Sequence, residues 1–198
     1  GDWGERVARS PAEPVGGRKA PDNVIRLWSA TGDVERATWT GHDDAVTALA
    51  IAPGRGVAAS GSRDRSVRIF RLDEPGFRHV CEGHRGGVFD VAFSSGGGRL
   101  VSAGGDDRLL VWDAGAGALI GELAGHRDTV HAAVFAPGLP LVFSASEDAT
   151  VALWDTVSGE RLRTFDAHTD AVCAIDVSAD GRFLATGGRD RRVRIWTL

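Results

Sequence analysis

Residues 83–124 read GHRGGVFDVAFSSGGGRLVSAGGDDRLLVWDAGAGALIGELA. This stretch contains four short apolar runs, each bounded by Gly, Ser or Asp. The runs are Val88–Phe93, Leu100–Ala103, Leu109–Trp112 and Leu119–Leu123. Runs this short between turn residues are typical of β-strands, because helices need longer periodic segments. The stretch therefore predicts four strands joined by tight turns.

The same pattern recurs along the chain with a step of 42 residues. A histidine, an aspartate and an aromatic residue each keep this step. They are His42, His84, His126 and His168; Asp22, Asp64, Asp106, Asp148 and Asp190; and Trp28, Phe70, Trp112, Trp154 and Trp196. Three residue types with one period indicate an array of one unit. We expect one repeat domain over residues 1–198, with repeats at about 1–40, 41–82, 83–124, 125–166 and 167–198.

Each repeat resembles the WD-repeat (WD40) unit, in which four short strands begin with Gly-His and end with Trp-Asp. Gly-His opens three repeats, and Trp112-Asp113 and Trp154-Asp155 close two. The closing pair is degenerate in the others, as Trp28-Ser29, Phe70-Arg71 and Trp196-Thr197. The resemblance covers nearly the whole chain. It implies an all-β propeller with five repeats present, four of them clear and one degenerate.

The first and last repeats are incomplete. Residues 1–28 align without a gap to residues 43–70, so that Val7 matches Leu49, and Arg18 replaces the strand serine. The last repeat stops after its third strand. We therefore expect a segment of a longer protein, within a seven-bladed ring; the alternative is a five-bladed ring with a shortened last blade. Open blade edges also offer surfaces for self-association.

The resemblance implies a structural hydrogen-bond network in each repeat. In the family, a loop histidine, a second-strand Ser or Thr, the hairpin aspartate and the third-strand tryptophan form one chain. The members here are His42, Ser60 and Asp64; His84, Ser102, Asp106 and Trp112; His126, Ser144, Asp148 and Trp154; and His168, Thr186, Asp190 and Trp196. Phe70 has no indole N–H, so we expect a weaker network in its repeat. Because the set recurs in every unit, we interpret it as structural and not as a catalytic or metal site.

The resemblance also implies that a protein or peptide binds on the rim of the central channel, without catalysis or a cofactor. Family contacts concentrate at the third and fifth residues after the repeat histidine and at the residue before the hairpin aspartate. The side chains at these positions are Thr47, Arg63, Phe89, Thr129, His131, Glu147, Cys173 and Arg189, beside the small residues Ala45, Gly87, Gly105 and Ala171. Junctions of this kind combine rigid backbone with free side chains.

Several of these side chains can also be interpreted without a partner. Phe89 is either an anchor for the partner or packing against the next blade. Arg63 and Arg189 either bind a carboxylate or phosphate or are solvated turn residues. His131 and Cys173 occupy equivalent positions, but no third ligand or orienting carboxylate matches them. We therefore predict neither a metal site nor a nucleophile pair there.

Composition limits the class of function. A net charge of −4 without an arginine–aromatic stripe argues against a nucleic-acid partner. Cys81 and Cys173 have no metal-site spacing, so we expect free thiols and an intracellular location, cytoplasmic or nuclear. No apolar stretch has the length of a membrane span, and we expect no membrane partner.

These observations favour a protein-interaction scaffold that is not an enzyme. Two alternatives stay open: a regulatory propeller of a larger signalling kinase or ATPase whose catalytic domain lies upstream, and a subunit of an RNA-processing complex. Docking on cullin-type ubiquitin-ligase adaptors gains no support. WD proteins of that class share an arginine three residues after the repeat tryptophan, where this chain has Thr31, Asp73, Gly115 and Val157.

Overall fold

The computed structural model describes residues 6–9, 23–29, 34–166 and 168–198, the first range by its backbone alone. These residues form eighteen β-strands in five antiparallel sheets. They contain no helix, and the sheets repeat in chain order like propeller blades, which confirms the predicted all-β propeller fold. Within the described ranges there is thus no helix that would be long and apolar enough to cross a membrane.

Strands follow one another in chain order within every sheet. The first sheet contains β1 (Arg6–Arg9), β2 (Ile25–Trp28) and β3 (Glu35–Trp39). The second contains β4 (Val46–Ile51), β5 (Val57–Ser62), β6 (Ser66–Arg71) and β7 (His79–Glu82). The third contains β8 (Val88–Phe93), β9 (Arg99–Gly104), β10 (Arg108–Asp113) and β11 (Leu119–Ala124). The fourth contains β12 (Val130–Phe135), β13 (Leu141–Ser146), β14 (Val151–Asp155) and β15 (Arg161–Phe165). The fifth contains β16 (Val172–Val177), β17 (Phe183–Gly188) and β18 (Val193–Thr197).

One turn recurs between the second and third strands. The residue after each hairpin aspartate is left-handed, with φ of 73° at Arg65 and 69° at Ala149. The aspartate supports this turn, because Asp64 accepts a hydrogen bond from the Ser66 amide at 2.8 Å. Such a conformation is costly for an L-residue, so its recurrence shows that the turn geometry is required.

Neighbouring sheets bury their apolar faces against each other. In the fourth sheet Val151 is fully buried because the fifth sheet packs on that face. The equivalent residue of the fifth sheet, Val193, is 75% exposed, and Ile195 beside it is 65% exposed. Each sheet thus depends on its neighbour for burial, and the fifth presents an apolar face that the described residues leave uncovered.

The strand pairing of the first sheet contradicts the predicted gapless alignment of the first repeat. That alignment places Val7 at the position of Leu49, on a first strand. In the structure Val7 lies opposite Leu27, as Ala59 lies opposite Ile69 in the second sheet, so β1 takes the place of a second strand. The prediction was wrong because a short apolar stretch without a Gly-His loop fits either register. Arg18, Asp22 and Thr31 lie outside the described residues.

Candidate functional site

Each repeat histidine lies at the centre of a buried hydrogen-bonded chain. In the third sheet, His84 Nδ1 is 2.9 Å from Asp106, and His84 Nε2 is 2.8 Å from the Ser102 hydroxyl. The Trp112 indole donates to the same hydroxyl at 2.8 Å. The corresponding distances are 2.8, 2.8 and 2.7 Å among His126, Asp148, Ser144 and Trp154, and 2.8, 3.0 and 3.2 Å among His168, Asp190, Thr186 and Trp196.

A neutral imidazole satisfies every donor and acceptor in this chain. The Trp112 indole donates to Ser102, the hydroxyl donates to Nε2, and the Nδ1–H of His84 donates to Asp106. Burial lowers the pKa of His84 and outweighs the opposing effect of the Asp106 hydrogen bond. Burial alone would raise the pKa of Asp106, but hydrogen bonds from the Arg85 amide and His84 bring that pKa to about 2. The geometry joins a loop to two strands.

The second sheet lacks one member of the chain. His42 lies 2.7 Å from Asp64 and 2.8 Å from the Ser60 hydroxyl. Phe70 offers no donor and instead packs against Trp39, with ring centroids 4.7 Å apart. The missing bond therefore affects Ser60, while the aspartate contacts are complete.

Four of the predicted partner residues occupy one structural position. In four sheets the pairing of the first and second strands shifts register at a single residue of the first strand. That residue is Thr47, Phe89, His131 or Cys173. A β-bulge redirects a side chain and is frequent beside binding sites. The Thr47 hydroxyl is engaged within the fold, because it donates to the Gly61 carbonyl at 3.0 Å.

The remaining predicted positions are bonded in pairs through their backbone. In each of these sheets, the amide before the hairpin aspartate donates to the carbonyl of the third residue after the histidine. The pairs are Arg63 with Ala45 (3.0 Å), Gly105 with Gly87 (2.8 Å), Glu147 with Thr129 (2.9 Å) and Arg189 with Ala171 (2.8 Å). These predicted positions therefore rest on braced backbone.

Four side chains contact one another along the rim of the third, fourth and fifth sheets. The Phe89 ring lies edge-on to His131, with centroids 5.9 Å apart. His131 Nε2 hydrogen-bonds one oxygen of the Glu147 carboxylate, and Arg189 donates to the other. We call Phe89, His131, Glu147 and Arg189 the rim cluster.

The position of Glu147 overturns one expectation, that no carboxylate orients His131. The equivalent positions carry Arg63, Gly105 and Arg189, so the acid is particular to this repeat. The Cys173 thiol is exposed and lies 3.8 Å from its own Ala171 carbonyl. Across the described ranges, no three His, Cys, Asp or Glu side chains are placed to hold a metal ion.

Sequence reasoning missed Asp90, which links two sheets. Its carboxylate accepts a hydrogen bond from the Ala133 amide at 2.9 Å, joining β8 to β12. The equivalent residues are Ala48, Ala132 and Ala174. An acid at a position that is alanine in the other repeats was the sequence signal that could have identified Asp90.

Comparison with known families agrees with this geometry. The family model described as WD domain, G-beta repeat matches residues 34–71, 76–113, 117–155 and 159–197. The match at 76–113 spans β7 to β10, the outer strand of one sheet and three strands of the next. No curated protein matches the chain. Because the four matches cover most of its length, the chain belongs to the WD40 family of G-beta repeat proteins.

Proposed function

We propose that this chain is a non-catalytic scaffold that binds a protein or peptide partner at the rim cluster. Members of the family typically mediate protein–protein interaction. The observation that carries the proposal is the continuous contact from Phe89 to Arg189 across three sheets. A partner would meet an ordered surface on braced backbone, so binding orders few side chains and costs little entropy.

The rim cluster suggests the chemistry of the partner. Phe89 is half-buried and presents an aromatic edge, which is typical of an interface anchor. The Arg189 side chain is 54% exposed while one nitrogen bonds Glu147, which leaves other donors toward solvent. Arg63 is also exposed on this face. We infer that the partner offers an apolar side chain next to a carboxylate or phosphate.

The cysteines support an intracellular location for this function. Cys81 and Cys173 are both free thiols, the first buried and the second exposed. Burial raises the pKa of the Cys81 thiol to about 11, so it stays protonated and unreactive. Unpaired thiols of this kind persist in a reducing compartment.

The test compares two truncations at opposite ends of the sheets. Phe89→Ala removes the proposed anchor, and Val157→Ala removes an apolar side chain, 68% exposed, from a turn at the other end. Proteins captured by the wild-type chain are identified, and the affinity of each is measured for both variants. We expect Phe89→Ala to weaken binding by about 1–3 kcal/mol and Val157→Ala to leave it unchanged.

Thermal unfolding of both variants serves as the control for folding. If Val157→Ala loses the partners and a folded Phe89→Ala keeps them, the partner binds the other end of the sheets and the proposal fails.

A further inference from the structure

A cleft of about 190 Å³ lies between the second and third sheets, at the end of the strands opposite the rim. Arg55, Arg71 and Arg78 line it from the second sheet. Gly97 and Gly115 line it from the third sheet. We call this site the arginine cleft. Neither the repeat network nor the rim cluster uses any of its residues.

The positive charge of the arginine cleft is only partly balanced. Arg71 pairs with Asp73 at 2.8 Å and with Glu74 at 3.0 Å. Arg55 donates to the carbonyl of Gly96 and forms no ion pair with any described residue. The Arg78 side chain has neither a hydrogen bond nor an ion pair within the described ranges, although its backbone amide, directly before β7, donates to the Ile69 carbonyl at 2.8 Å. Two guanidinium groups therefore have no carboxylate partner among the described residues.

A glycine allows the two sheets to share the cleft. Gly97 has φ of 63°, and a Cβ at this position would lie 2.7 Å from Arg55 Cδ. Any other residue would displace the Arg55 side chain, which crosses to the third sheet here. Glycine thus keeps both the turn and the guanidinium in place.

The equivalent junction between the third and fourth sheets has the opposite chemistry. There Asp113 takes the place of Arg71, and its carboxylate accepts hydrogen bonds from the amides of Gly115 at 2.9 Å and Ala116 at 2.8 Å. Arg99 is engaged with the Thr156 hydroxyl at 2.9 Å. The degenerate Phe70-Arg71 pair therefore replaces a turn-capping carboxylate with a guanidinium at one junction.

We propose that the arginine cleft binds a phosphate group carried by a phosphorylated side chain of a protein partner. Guanidinium groups bind phosphate through paired, charge-assisted hydrogen bonds, and arginine is the preferred residue for this recognition. Arg55 and Arg78 hold the anion, while Arg71, already paired with Asp73 and Glu74, keeps the turn in place. The site is independent of the rim cluster, so one partner can engage either surface alone.

The test is an NMR titration that follows the amides of Gly97 and Gly115. The probes are inorganic phosphate, a short phosphoserine peptide and its unphosphorylated form, each against chloride at matched ionic strength. We expect saturable shifts with phosphate and with the phosphopeptide, the tighter binding being to the phosphopeptide. Arg55→Gln and Arg78→Gln should each weaken it about tenfold or more, as expected for loss of a charge-assisted bond. Arg127→Gln, an exposed arginine at the rim end, is the matched control and should change nothing.

The variants are expected to fold, because neither Arg55 nor Arg78 forms an ion pair among the described residues; unchanged amide spectra elsewhere verify this. Tighter binding of inorganic phosphate than of the phosphopeptide overturns the assignment to a protein side chain. Absence of shifts, or equal weakening by Arg127→Gln, overturns the site itself.

Discussion

The second and fourth sheets solve the same structural problem with different residues. Both hold a buried histidine between an aspartate and a serine, at 2.7 and 2.8 Å in the second sheet and at 2.8 and 2.8 Å in the fourth. The fourth sheet adds the Trp154 indole, which donates to Ser144 at 2.7 Å. The second sheet has Phe70 in its place, packed between Trp39 and Phe77.

This difference separates the contributions of two hydrogen bonds to the stability of the network, which usually occur together. The histidine–aspartate bond holds the loop and is the same in both sheets. The indole bond adds a second partner to the serine and is absent from the second sheet, where aromatic contacts fill the space. The Trp39 indole N–H beside Phe70 is buried and has no hydrogen-bond partner among the described residues. We infer that the loop geometry depends on the aspartate and that the tryptophan strengthens it.

Acidification should produce the largest effect, and it should act on both sheets together. Burial would raise the pKa of Asp64 and of Asp148, but hydrogen bonds from Ser66 and Thr150 bring each pKa to about 2. An unfolded aspartate titrates near pH 3.9. The contribution of Asp64 and Asp148 to the free energy of unfolding is therefore complete above about pH 4–5 and is lost as the pH falls toward 2.

The histidines shift stability in the same direction. Burial lowers the pKa of His42 and His126, whereas an unfolded histidine takes up a proton near pH 6.5. Their contribution is complete above about pH 6.5 and decreases as the pH falls. NMR amide signals of Ser60 and Ser144, followed from about pH 7 to pH 2, should be lost over one range. Loss of the Ser60 signal at a clearly higher pH would show that the sheets are not equivalent.

Serine substitutions should destabilise the fourth sheet more than the second. Ser144→Ala leaves both His126 Nε2 and the Trp154 indole N–H without a partner, whereas Ser60→Ala leaves only His42 Nε2 without one. At about 1–3 kcal/mol for each unsatisfied buried group, we expect losses of about 2–6 and about 1–3 kcal/mol respectively. Denaturant unfolding, with hydrogen exchange to localise the effect, gives the comparison.

Aspartate substitutions provide the matched control. Asp64 and Asp148 accept the same set of hydrogen bonds. The donors are the repeat histidine, the backbone amide of the residue after that histidine, and the amide and hydroxyl of the residue two positions after the aspartate. Asp64→Ala and Asp148→Ala should therefore cost the same. Equal losses for the two serine variants would refute the assigned role of the indole.

Much of this comparison is readable from sequence, and the rest depends on contacts between units. The four apolar runs of residues 83–124 coincide with β8 to β11, because turn residues mark strand ends locally. The pairing of Val7 was not predictable, since a degenerate repeat leaves two registers open. The hydrogen bond from Arg189 to Glu147 joins two neighbouring sheets. The pattern within one repeat does not predict such a contact between repeats.

The smallest expected effect concerns the left-handed turn that both sheets share. Arg65 and Ala149 have φ of 73° and 69°, a conformation that costs an L-residue about 1–2 kcal/mol. Glycine removes this strain but loses about 0.5–1 kcal/mol through unfolded-state entropy. Arg65→Gly and Ala149→Gly should therefore each stabilise by up to about 1.5 kcal/mol. The two gains should be equal, because the turn lies outside the contacts that Phe70 and Trp154 make. Thermal unfolding of both variants measures this gain. A gain in the fourth sheet alone would mean that the indole bond also determines the strain of the turn.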